Sequence, residues 1–200
     1  MQSLIDHARA FSTRAQQSTA ELRGLELGQS PEAMFITCSD SRVVPTLITG
    51  TRPGDLFELR TAGNIVPEYT TDHPAGEMAT IEYAVRVLGV RDIIVCGHSH
   101  CGAVGALVRE EDLTALPAVR GWLERGASPG LKGDDGASPD VAAPVQRHAL
   151  AQLERLRGYP CVAERLTEGA LGLHAWYYEV HTGTVLAHRT TGDEAAFLPL

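Results

Sequence analysis

The chain lacks any hydrophobic stretch of about 18 residues or more, the length that a membrane-spanning helix needs. Residues 1–11 (MQSLIDHARAF) show no basic segment followed by an apolar run, so no secretory leader is expected. Basic residues are in deficit, with 17 Lys and Arg against 25 Asp and Glu and a formal charge of -8. That charge disfavours nucleic acid and anionic membranes as partners. We therefore expect a cytoplasmic protein without nucleic-acid or membrane partners.

Cysteine is scarce. Four cysteines in 200 residues are too few and too unevenly placed for a disulfide scaffold. Cys96 and Cys161 lie in apolar segments, where cysteine behaves as a small buried hydrophobe. Cys38 and Cys101 instead stand close to Asp and His, which is typical of metal ligands or nucleophiles in a reducing compartment.

The order of apolar segments predicts an α/β fold with a central, mostly parallel β-sheet flanked by helices. Length and composition favour one domain over residues 1–200, with an N-terminal helical arm over 1–27 that protrudes from it. Buried strands are predicted at 33–38, 55–60 and 92–97. Helices are predicted at 3–26, 43–50, 74–89, 102–111, 141–159 and 160–168. A surface loop is expected at 127–140, and a closing hairpin pairs 173–181 with 184–190 around Thr182-Gly183.

Two polar loops follow predicted buried strands, Cys38-Ser39-Asp40-Ser41-Arg42 and His98-Ser99-His100-Cys101-Gly102. The carboxyl ends of parallel strands open on one edge of a sheet, so both loops are expected there. Two cysteines and a histidine, Cys38, His98 and Cys101, form a soft three-ligand set that suits Zn²⁺ and leaves a fourth position for water. This open arrangement is typical of a catalytic zinc site. His100 is expected to lie outside the ligand set, near it or exposed.

Asp40 and Arg42 are close enough in sequence to form charge-assisted hydrogen bonds. An Asp held by Arg stays ionised and can accept a hydrogen bond from zinc-bound hydroxide. The alternative is a salt bridge that only braces the loop.

These residues resemble the β-class carbonic anhydrases, in particular the plant-like or actinobacterial-type branch. The likeness runs from about Gly28 to the closing hairpin. Its landmarks are GQSP (28–31), CSDSR (38–42), PGDLFELRTAGN (53–64), TIEYAV (80–85) and GHSHCGA (97–103).

The resemblance implies that Cys38, His98 and Cys101 ligate zinc, with Asp40 and Arg42 as the orienting pair. Further positions correspond to substrate contacts in that family. Gln29 matches a glutamine that binds CO2 or bicarbonate, the Gly102 amide lies near the bound anion, and Phe57 and Tyr83 line an apolar pocket across a dimer interface. Read without the family, Phe57 and Tyr83 are core aromatics and Gln29 is a surface residue.

The resemblance also bears on how Asp40 behaves. A bicarbonate-regulated branch has tryptophan where this chain has Phe35, which has no N–H, although Arg60 matches that branch. We therefore expect water on zinc, with Asp40 as a fourth ligand only in a closed state.

The expected reaction is reversible hydration of CO2 to bicarbonate and a proton by zinc-bound hydroxide, in a dimer, a tetramer or a larger homo-oligomer. His100 and the Tyr83 hydroxyl are candidates for proton export. Hydrolysis of carbonyl sulfide or carbon disulfide on the same scaffold is one alternative. Another is a non-catalytic zinc-binding module, for which a fourth protein ligand would be expected.

Overall fold

The computed structural model describes residues 1–15, 24–128, 131, 138, 140–192 and 194–200. Contacts divide the chain into two units, Met1–Ser30 and Pro31–Leu200. The first contains helix α1 (Gln2–Ala15), whose apolar side chains Leu4 and Phe11 are exposed. The remainder of the predicted helix over 3–26 falls largely on residues outside the described ones. The expected single domain with an arm over 1–27 stays a prediction.

The second unit is built around a six-stranded sheet in the order β2-β1-β3-β4-β5-β6. Strands β2, β1, β3 and β4 run parallel, and β5 and β6 are antiparallel additions at one edge. The strands are β1 (Ala33–Cys38), β2 (Leu56–Thr61), β3 (Asp92–His98), β4 (Gly172–Tyr178), β5 (Val185–Thr191) and β6 (Glu194–Pro199). The predicted α/β class with a mostly parallel sheet is confirmed.

Helices connect and cover these strands. They are α2 (Pro45–Thr49), α3 (Gly76–Tyr83), α4 (Gly102–Val108), α5 (Pro117–Gly126), α6 (Ala142–Arg157) and α7 (Pro160–Thr167). The helix predicted at 74–89 is α3 followed by one wide π turn, Ala84–Leu88, which ends at Gly89 in the left-handed conformation. Within the described ranges, no helix combines the length and hydrophobicity needed to cross a bilayer.

Strand β1 shows why the sheet carries nearly unbroken apolar runs. All six of its residues are buried, because both faces of a central parallel strand are covered. Met34 and Ile36 pack into the main core with residues of α3, α6 and α7. Phe35 faces the other way and meets the ring of Trp176 edge-on, with centroids 5.9 Å apart.

Two elements were not predicted from the sequence. Helix α5 begins at Pro117, and its interior Gly121 weakens the helical pattern. Strand β6 pairs with β5 at the sheet edge, where its side chains are mostly exposed and so lack an alternating apolar pattern. The loop predicted at 127–140 falls largely outside the described residues.

Candidate metal centre

The two polar loops emerge side by side at one edge of the sheet. Strands β1 and β3 are neighbours in parallel register, with Thr37 opposite Cys96, so Cys38 and His98 end adjacent strands. Each loop is tied to the next strand by a backbone hydrogen bond, from Ser39 N–H to the Thr61 carbonyl (3.0 Å) and from Ser99 N–H to the Tyr178 carbonyl (2.9 Å). The parallel topology therefore brings the two loops together, as the strand pattern predicts.

Cys38, His98 and Cys101 form a buried group whose sulfur and nitrogen atoms all lie within 4.8 Å of one another. Among the residues that the structure describes, it is the only such group of three or more His, Cys, Asp or Glu side chains. His100 and Asp40 are not members of it. The buried donor set is therefore two sulfurs and one imidazole, which suits Zn²⁺.

The imidazole of His98 is oriented to use one particular nitrogen. Its Nδ1 lies 2.9 Å from the Ser99 carbonyl oxygen, which can only accept, so Nδ1 carries the proton. Nε2 then presents a lone pair, and this fully buried atom has no hydrogen-bond partner among the described residues. A buried acceptor without a partner is costly in a protein interior. A metal ion bound to Nε2 removes that cost, so the residues fit zinc.

The surroundings of the two thiols also favour the binding of a cation. A hydrogen bond from the Cys101 thiol is the largest influence on the pKa of Cys38 and lowers it; burial opposes this, and the Gly63 amide acts in the same direction as Cys101. The partnership with Cys38, together with burial, raises the pKa of Cys101. These influences favour ionisation of Cys38, with the Cys101 thiol as its hydrogen-bond donor. Thiolates are the form in which cysteine binds zinc.

Asp40 lies beside this group and is held by Arg42. Asp40 Oδ1 accepts from both the Arg42 amide and Nε, each at 2.9 Å, and Oδ2 accepts from Arg42 Nη2 at 2.6 Å. This hydrogen bonding to the guanidinium holds the pKa of the Asp40 carboxyl well below its usual range. Oδ2 is 3.9 Å from His98 Nε2. An oriented carboxylate whose pKa favours the ionised form thus lies next to the ligand set.

Two arginines hold the loops in place. Arg42 also donates to the His100 carbonyl at 3.2 Å, which joins the first loop to the second. Arg60, on β2, donates to the carbonyls of Cys38 (3.0 Å), Asp40 (2.7 Å) and Val43 (2.8 Å). This role of Arg60 was not predicted from the sequence, where Arg60 is only a match to one branch, because backbone carbonyl partners leave no sequence pattern.

Phe57 and Tyr83 are packed together, with ring centroids 6.0 Å apart, but not beside the metal group. Phe57 pairs with Met34, four residues before Cys38 along β1, which is about 13 Å at the rise of a parallel strand. Phe57 is half-buried and Tyr83 is 45% exposed. Within one chain the structure does not bring these aromatics to the ligand set.

The remaining predicted site residues are at the surface. Gln29 is exposed and belongs to the first unit. Gly102 is exposed at the start of α4, directly after Cys101. His100 is exposed and has a positive φ of 55°, and its ring lies 6.3 Å from that of His181.

Comparison with known sequences gives a consistent result. The family model described as carbonic anhydrase matches residues 33–185. A carbonic anhydrase of Pseudomonas aeruginosa is 45% identical over 190 residues, covering 92% of this chain and 86% of the relative. Carbonic anhydrase 1 of Escherichia coli O157:H7 is 40% identical over 205 residues, covering 100% of this chain and 92% of the relative.

Solved structures agree with the sequence comparisons. The β-carbonic anhydrase CcaA superimposes with a TM-score of 0.86 at 36% identity, covering 99% of this chain and 92% of that one. A tetrameric β-carbonic anhydrase from Sordaria macrospora gives 0.74 at 28% identity, covering 92% and 94%. The likeness thus extends over both polar loops and the whole sheet.

Proposed function

Because the chain belongs to the β-carbonic anhydrase family and catalyses the zinc-dependent hydration of CO2, we propose that Cys38, His98 and Cys101 hold the zinc and that Asp40 and Arg42 orient the reacting water. The observation that carries this proposal is the orphaned Nε2 of buried His98, which faces two sulfurs and an Arg-held carboxylate. Zinc held there would act as a Lewis acid and would lower the pKa of water toward neutrality.

Asp40 is proposed to orient the reacting water. Its carboxylate is ionised and acceptor-only, so it takes a hydrogen bond from the water and turns the oxygen's other lone pair toward the substrate. Arg42 occupies both carboxylate oxygens and keeps the group from rotating. Once CO2 accepts the oxygen, the Gly102 amide is positioned to stabilise the developing negative charge on the product.

We propose further that the site works in its open form, in which Asp40 stays off the metal and the fourth position would be left to water. Asp40 is engaged by three hydrogen bonds from Arg42, and they would have to break before the carboxylate could become a ligand. Phe35, fully buried against Trp176, offers no N–H that could hold an anion there. These features support the plant-like or actinobacterial-type branch.

The substrate pocket is proposed to be shared between subunits. Phe57 and Tyr83 form a partly exposed aromatic pair remote from their own chain's metal group, which suits a role at a partner's site. The Sordaria macrospora relative is tetrameric, which supports self-association of this chain as a dimer or a larger assembly. Gln29, also exposed, is proposed to bind CO2 or bicarbonate.

Mixing two inactive variants tests subunit sharing. Asp40→Asn damages the site's own loop, and Tyr83→Ala damages the aromatic pair. In a shared site, a mixed dimer rebuilds one intact site, so random re-association of equal amounts should recover about a quarter of wild-type activity. CO2 hydration is measured before and after subunit exchange. If each site used only its own chain's residues, mixing would recover nothing.

The choice of substrate is tested by comparing CO2 with carbonyl sulfide. Stopped-flow hydration of CO2 from about pH 6.5 to 9 should exceed sulfide release from carbonyl sulfide, and its rate should rise with pH as the reacting water deprotonates. The titration of Asp40 should not appear in this pH–rate profile, because its lowered pKa keeps the carboxylate ionised throughout the range. Faster sulfide release would instead favour the hydrolase alternative. The comparisons do not favour either that alternative or a non-catalytic zinc module.

We also propose a cytoplasmic location, which is supported by four cysteines that form no disulfide, as is typical of a reducing compartment.

A further inference from the structure

A buried histidine behind the metal group has no part in the mechanism above. His148 lies on α6 and is fully buried. Its Nε2 is 2.9 Å from the Gly63 carbonyl, which can only accept, so Nε2 carries the proton. Nδ1 is then the acceptor, and it accepts a hydrogen bond from the Ser128 hydroxyl at 2.9 Å. The two contacts fix both the tautomer and the orientation of the ring.

The residue that His148 holds is in contact with a predicted zinc ligand. Gly63 lies in the short 3₁₀ turn Ala62–Asn64 after β2, and its N–H is 3.4 Å from Cys38 Sγ. Its φ of 75° favours glycine, and a Cβ there would lie 3.0 Å from the Cβ of Ala103. The backbone therefore approaches the sulfur closely at a position where only glycine fits without strain.

A second side chain holds the other side of this turn. Trp122, on α5, donates its Nε1–H to the Ala62 carbonyl at 2.9 Å. That carbonyl belongs to the same peptide group as the Gly63 N–H. A peptide whose oxygen accepts a hydrogen bond is polarised and becomes a stronger donor through its N–H. Trp122 and His148 therefore restrain the two consecutive peptide groups that flank Gly63.

The imidazole remains a neutral donor under working conditions. Burial, the largest influence, lowers the pKa of His148 to about 4; the bond to Gly63 and the charge of Cys38 oppose this, and Arg155 reinforces it. At neutral pH the ring therefore carries one proton, which is committed to the Gly63 carbonyl. A network that only satisfied buried polar groups would not need to converge on the residue that donates to Cys38.

We propose that His148 and Trp122 are positioning residues that hold the Gly63 N–H on the sulfur of Cys38 and so tune this zinc ligand. A thiolate that accepts a hydrogen bond donates less charge to a bound metal, and the metal then polarises water more strongly. Loss of the hydrogen bond should raise the pH at which the reacting water loses its proton. This inference rests on the proposed role of Cys38 as a ligand.

The test uses the zinc enzyme and its cobalt(II)-substituted form. His148→Leu removes one donor, and Trp122→Phe removes the other while keeping an aromatic ring. In each variant we expect the midpoint of the pH–rate profile to rise by about half a unit, which is about a threefold loss of rate below the midpoint. The thiolate-to-cobalt absorption band should move to longer wavelength, because the sulfur becomes more electron-rich. His148→Gln, which retains a donor, should restore much of both properties.

Matched controls separate positioning from stability. Trp176→Phe changes the chain's other tryptophan, which packs on Phe35, and Leu156→Ala opens a cavity on α6 within the main core. Neither should move the band or the midpoint. If His148→Leu does not fold, the absorption band and the pH–rate midpoint of Trp122→Phe test the proposal alone. Normal bands and midpoints in the variants, or equal shifts in the controls, would overturn the proposal. A wild-type cobalt protein without a thiolate band would instead contradict the ligand assignment itself.

Discussion

Replacement of Cys38 or His98 by alanine is expected to remove bound zinc and CO2 hydration together. Each change leaves two of the three donors in the buried group, which is too few for the tight zinc binding of a catalytic site. The Lewis-acid contribution of a metal is worth several kcal/mol, so the rate should fall by at least about a hundredfold. Zinc content and stopped-flow hydration, measured on the same purified sample, check this result.

Cys96→Ala is the matched control for the cysteine variant. Cys96 is a fully buried cysteine on β3, yet it lies outside the three-residue group. The Cys96→Ala variant should therefore keep its zinc and its CO2 hydration activity even if the protein becomes less stable. Full zinc occupancy in Cys38→Ala or His98→Ala, or loss of zinc in Cys96→Ala, would show that the ligand set is assigned wrongly.

Asp40→Asn is expected to keep the metal but lose activity. Asn has nearly the shape of Asp, and Asp40 is not part of the buried Cys–His–Cys group. The amide carries no charge, can present its NH2 group to the water and pairs more weakly with Arg42. General-base and orienting groups of this kind are worth about 10²–10⁴ in rate, so we expect a loss of at least about a hundredfold.

The sequence predicts the metal centre well because its determinants are local. Cys38 and His98 each follow an apolar run, and parallel strands bring such ends to the same edge of a sheet. Cys101 is three residues beyond His98. The Asp40–Arg42 pair is predictable for the same reason, since the two residues are only two positions apart and their side chains can reach each other.

The surroundings of the site could not be predicted in the same way. Arg60 binds carbonyls and His148 binds the Gly63 carbonyl, and a backbone carbonyl is present at every residue. Their roles depend on long-range packing, since His148 and Gly63 are 85 positions apart in the sequence. Trp122 lies on α5, a helix that the sequence pattern missed. Contacts of this kind become visible only when the fold is known.

The Asp40→Asn enzyme tests the central claim most directly, through zinc content and CO2 hydration determined on one sample. Asp92→Asn is the control, because the Asp92 carboxylate is also hydrogen-bonded to a side chain, His174 (2.7 Å), but lies at the opposite end of β3. The account predicts wild-type zinc in both variants, with activity lost only in Asp40→Asn. Near wild-type activity in zinc-loaded Asp40→Asn would contradict the account and reduce the Asp40–Arg42 pair to a brace of the loop.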